Sequence, residues 1–146
     1  MPLKGSGFHV WSDEEIAAFE AHWPIGTRER LAFAILLYTG LRRGDAARLG
    51  RQHIKDGVCY LRAEKTGTPL AAPVLPDLAS IIDQSPTGDL SLIARYDGRA
   101  MTKEGFGNWF RDACNAAGVP GSAHRLRKAG ATRAAENGAT ERELEA

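Results

Sequence analysis

Cysteine is scarce in this chain: Cys59 and Cys114 stand far apart in 146 residues. Two isolated thiols build no disulfide framework, and their lack of a spacing pattern suits a reduced compartment. His9, His22, His53 and His124 pair with neither cysteine at zinc-ligand spacing, so the sequence offers no metal site. Long apolar runs are missing too; nothing approaches the roughly 20 residues of a membrane span. The opening segment, Met1–Trp11, has no apolar signal core, which argues against secretion. Net charge is almost nil, with 19 basic against 18 acidic side chains and a formal +1. These absences give a cytoplasmic expectation, with no membrane, no cofactor and no small-molecule substrate indicated.

What is present is the composition of one globular domain, 43% hydrophobic and 25% charged, long enough to bury a single core. Its charge is unevenly spread. Gly40–Lys65 holds seven basic and three acidic residues, and Arg95–Arg133 holds eight and three. Ala134–Ala146 is acidic, with one Arg against four Glu. Folding can bring two basic blocks together into one positive face, although ordinary solvated surface yields the same pattern.

Capping signals set the element boundaries. Ser12-Asp13-Glu14-Glu15 reads as a capping box with Trp11 and Ile16 as its staple, opening a helix to about His22. Thr27 caps a second helix whose run Leu31–Tyr38 is apolar on nearly every side, a pattern for the centre of a bundle. Gly40 is placed as its left-handed stop, and a short helix is expected over Gly44–Leu49. The pattern then becomes extended. Asp56-Gly57 is a hairpin signal between His53–Lys55 and Val58–Leu61, and Thr66–Pro69 makes a second turn before a strand over Ala72–Leu75.

Helices resume at Pro76–Gln84 and after Thr102, with Met101 and Phe106 as a staple. In the latter, Phe106, Trp109, Phe110, Ala113, Cys114 and Ala117 form a core stripe. Ser122 caps a helix from Ala123 to about Asn137, and Thr140-Glu141-Arg142-Glu143 is another capping box. The fold class is mainly α with a small three-stranded antiparallel β-sheet.

Two short motifs carry chemistry. Leu37-Tyr38-Thr39-Gly40-Leu41-Arg42-Arg43-Gly44-Asp45 puts an arginine at the junction of a buried helix and a short one, where the Asp45 carboxylate is expected to hold the Arg42 guanidinium. His124-Arg125-Leu126-Arg127 puts His124 in the first turn of a helix and Arg127 on the same face. Helix N-termini attract phosphate and arginine grips it with a planar fork of donors. Lys65 sits at a hairpin tip. Taken singly, each of these also reads as a solvated surface cation.

Taken in order, they resemble the tyrosine recombinases of the phage-integrase type: a helical frame, TGLR before a small sheet, a turn lysine within it and HRLR after it. The resemblance covers Trp11 to the chain's end. It implies a DNA recombinase or integrase of mobile elements that breaks and rejoins double-stranded DNA through a 3′-phosphotyrosine intermediate. Catalytic Arg42, Lys65, His124 and Arg127 follow by alignment, with Arg43 and Arg125 as rivals. Asp45 is a supporting residue where Glu is more usual. Homo-oligomers on DNA and a nucleoid-associated location are further implications.

The family's nucleophilic tyrosine follows the His-x-x-Arg helix, whereas Tyr38, Tyr60 and Tyr96 all precede it. Tyr38 and Tyr60 are expected to be packing residues. The expectation is therefore a partial catalytic domain, residues 11–146, lacking its C-terminal helices and nucleophile, with 1–10 a linker or stump. The alternatives are a non-catalytic DNA-binding or assembly module of the same fold, and an all-helical regulator with chance arginines.

Overall fold

The computed structural model describes residues 11–136; the expected Thr140 helix, the acidic tail and the 1–10 segment lie outside them. Six helices and three strands follow in the order α1 (Asp13–His22), α2 (Arg28–Thr39), α3 (Arg43–Arg48), β1 (Ile54–Lys55), β2 (Val58–Arg62), β3 (Pro69–Pro73), α4 (Pro76–Asp83), α5 (Lys103–Ala116) and α6 (Ala123–Glu136). A 3-10 turn, Arg51–His53, leads into β1.

The local signals explain these boundaries. Both arms of the Ser12 capping box are made: Glu15 N–H donates to Ser12 Oγ at 3.1 Å, and Ser12 N–H donates to the Glu15 carboxylate at 2.9 Å. Thr27 caps α2 by accepting from Arg30 N–H, and Thr102 caps α5 by accepting from Gly105 N–H. Leu31–Leu37 is buried on every side, so α2 is the central rod. Around it, Trp11, Phe19, Phe33 and Phe110 form an aromatic cluster, with the rings of Phe19 and Phe33 stacked at 4.7 Å. Such pairs add about 0.5–1.5 kcal/mol beyond their burial.

The three strands form one antiparallel sheet in chain order. Asp56 and Gly57 both take positive φ, 53° and 79°, the conformation a two-residue hairpin loop needs. β3 pairs from Pro69 opposite Arg62 to Pro73 opposite Val58, starting earlier than the Ala72 expected from composition. An edge strand tolerates its first residue being proline because that N–H is not required by the ladder. Alternation along β2 buries Cys59 and Leu61 and turns Tyr60 outward at 53% exposure. Tyr60 is thus not the packing residue that was expected, since strand geometry places it on the solvent face.

Helix α6 lies close against α2. A side chain at Gly130 would run into the carbonyl of Leu37, so glycine lets α6 lie against the C-terminal end of α2. That approach brings the α6 arginine to the TGLR junction.

Candidate active site

Each residue of Thr39-Gly40-Leu41-Arg42 has a separate physical role. Thr39 turns its hydroxyl back to the Ile35 carbonyl at 2.5 Å and accepts from Leu41 N–H at 3.2 Å. Gly40 takes the left-handed conformation (φ 73°, ψ 13°) that ends α2. Leu41 is buried and anchors the turn. Arg42 is then the N-cap of α3, with an extended backbone and no side-chain cap bond. Arginine is a poor choice there: it cannot accept a hydrogen bond and adds positive charge to a helix N-terminus. A residue that breaks the local rule without a structural return marks a site with another purpose.

Arg127 reaches the same junction from α6. Its Nε–H donates to the Gly40 carbonyl at 2.5 Å, so the left-handed turn fixes both arginines. Arg42, Lys65, His124 and Arg127 line one cleft of about 360 Å³, together with Ser122 and Ala123 at the start of α6. Arg43, Gly107 and Arg111 complete it. No carboxylate lines it among the described residues. Burial lowers the Arg127 pKa, and the Arg42 charge lowers it further, while the Asp45 carboxylate opposes both. Desolvation and like charge both disfavour cations here, and an anion seated between the arginines would relieve both.

Asp45 does not hold Arg42, contrary to the expectation from spacing. It is 2% exposed; Arg42, as the N-cap, has an extended rather than helical backbone, and the Asp45 carboxylate is taken up by donors on the sheet side instead. One of its oxygens accepts from Arg48 Nη2 at 2.8 Å and from the backbone N–H of Glu64 at 2.9 Å. Arg48 in turn donates to the carbonyl of Arg62, the last residue of β2. Asp45 thereby ties the turn that bears Lys65 to α3. Lys103, at the start of α5, reaches Glu64 at 3.7 Å and holds the same turn from the other side.

Arg43 stands in the sequence only as a rival to Arg42, and Arg111 belongs to neither motif; the fold brings both to the cleft. The available signal was on α5: Gly107 and Arg111, one turn apart, flank its buried stripe on one side. Thr102, Gly105 and Trp109 flank it on the other and line a separate cavity of about 480 Å³. There Arg28 donates to the Ala94 carbonyl at 2.6 Å and lies over the rings of Tyr96 and Trp109. Arg28 is committed to pinning that loop, and the cavity contains none of the motif residues.

The chain belongs to the phage integrase family, whose sequence profile matches residues 13–146. No curated protein matches it. Among solved structures, it is similar to the lambda integrase catalytic core, with TM-score 0.73 and 23% identity over 88% of this chain and 87% of that one. It is similar to lambda integrase residues 75–356 bound to DNA, with TM-score 0.72 and 23% identity over 88% of this chain. XerA recombinase gives TM-score 0.75 and 18% identity over 89% of this chain. The chain spans about half the length of the last two, 51% and 50%. The fold is that of a tyrosine recombinase catalytic domain.

Proposed function

We propose that this chain provides the phosphate-activating part of a DNA strand-transfer site. The supporting observation is that Arg42, Lys65, His124 and Arg127, carried by four separate segments or turns of the chain, line one cleft without an acidic neighbour among the described residues. Arg42 and Arg127 would stabilise the charge that builds on the nonbridging oxygens of a phosphodiester, with no metal required for that role. A tyrosine hydroxyl attacks phosphorus, the bond to the 5′ oxygen breaks, and a 3′-phosphotyrosine forms. Lys65 delivers a proton to the departing 5′ oxygen and His124 assists proton transfer. The covalent link keeps the phosphodiester energy for rejoining, so no nucleotide is consumed.

Double-stranded DNA is the proposed partner, in an assembly of several copies. Lambda integrase has been captured as a dimer on a core site and as a tetramer on a Holliday junction, which supports that reading. No tyrosine follows Arg127 in this sequence, so cleavage requires one supplied from outside these residues. Residues 1–146 should therefore give no covalent adduct with a nicked suicide substrate. They should still bind duplex DNA in a way that Arg42→Ala with Arg127→Ala weakens. An adduct mapped to Tyr38, Tyr60 or Tyr96, or DNA binding indifferent to both arginines, would overturn the proposal.

A further inference from the structure

The cleft holds more positive charge than one phosphodiester can use. Arg42, Arg127 and Lys65 suffice for a single phosphate: two guanidinium forks on its nonbridging oxygens and an ammonium at the departing oxygen. Arg43 and Arg111 remain. Both are exposed, and neither meets a carboxylate among the described residues.

Their placement is specific. Gly107 lies inside α5, where glycine costs about 0.8–1 kcal/mol relative to alanine. A Cβ there would stand 2.9 Å from Arg43 Nη1 and 3.8 Å from its Cζ. The absent Cβ leaves room for the Arg43 guanidinium beside α5. Arg111 follows one turn along the same flank, about 5.4 Å further. The two forks thus share the α5 wall, while Arg42 and Arg127 sit at the α2–α3 junction and on α6.

We infer that Arg43 and Arg111 form a second phosphate subsite, holding a phosphate next to the reactive one on the same DNA strand. This rests on the strand-transfer reading of the cleft and adds to it: the chain grips two phosphates, and the α5 pair sets the strand's path through the site. Phosphates follow one another by about 3.4 Å of axial rise per strand, each with a single charge. A row of phosphates therefore matches paired forks better than one anion does.

The test is duplex-DNA affinity measured against salt concentration, with each variant checked by thermal melting. Each phosphate contact contributes about 0.9 to the slope of log affinity against log salt. Arg43→Ala with Arg111→Ala should lower the slope by about 1, uniformly across DNA sequences, and leave the melting temperature unchanged. Arg43→Lys with Arg111→Lys should restore it, because charge rather than packing is at stake. Arg42→Ala with Arg127→Ala should remove about 1 independently, and all four alanines about 2. A normal slope in the Arg43/Arg111 pair, with a reduced one in the Arg42/Arg127 pair, would overturn the second subsite and leave the first reading standing. A total loss of only about 1 in the fourfold variant would mean a single shared phosphate, also against the inference. Absence of salt-dependent DNA binding in the unmodified chain would sink both.

Discussion

Asp45 is buried behind the cleft and its carboxylate braces α3 against the turn that carries Lys65. Three positions after Arg42, it resembled an ion-pair partner on a helix, but the cap geometry sends the two side chains different ways. What it does instead is visible only in three dimensions, because the donors to its carboxylate come from Arg48 and from the backbone N–H of Glu64. Asp45→Asn keeps an acceptor and removes the charge, and should destabilise the fold by about 1–3 kcal/mol in urea unfolding. The cysteines make a second prediction at this scale. Burial pushes the Cys114 thiol up to about 12, with Arg111 opposing it, and burial raises Cys59 as well. A raised thiol pKa means the folded state keeps a proton that the unfolded chain releases above about 8.5. This contribution to stability is complete below that pH and is lost as pH climbs toward about 12. Cys114→Ala should therefore flatten the alkaline decline in unfolding free energy, and both thiols should resist alkylation at pH 8 until the protein is denatured.

Elements were far more legible in the sequence than contacts between them. Ser12, Thr27, Thr102 and the Asp56-Gly57 turn announce α1, α2, α5 and the first hairpin through local hydrogen bonding and backbone preference, which need no partner. The all-round apolar run of Leu31–Leu37 likewise declares its own burial. Gly130 shows the opposite case. Inside a helix pattern it reads as a mere weak point, and its reason is the Leu37 carbonyl of a distant helix. Gly130→Ala should push α6 off α2 at a cost of about 1–3 kcal/mol, read as a lower melting midpoint. Because Arg127 lies one turn earlier on α6 and bonds to Gly40, the same variant should bind DNA less well even at temperatures where it is fully folded. Unchanged binding would show that the crossing does not position Arg127.

For the whole molecule, net charge is the misleading quantity and its distribution the useful one. A formal +1 argues for poor DNA affinity, yet folding brings Arg42, Arg43 and Lys65 from one basic block beside Arg111 and Arg127 from the other. That convergence could not be read from the composition, since it depends on α6 crossing α2 and on α5 packing against α3. The outcome expected is weak, non-specific duplex binding, on the order of micromolar or poorer at physiological salt, that fades steeply as salt rises. The most direct measurement is a crystal structure of this chain grown with phosphate. An anion should lie between the guanidinium groups of Arg42 and Arg127, within hydrogen-bonding distance of both. Phosphate bound elsewhere, with those two arginines pointing away from each other and unliganded, would contradict the site.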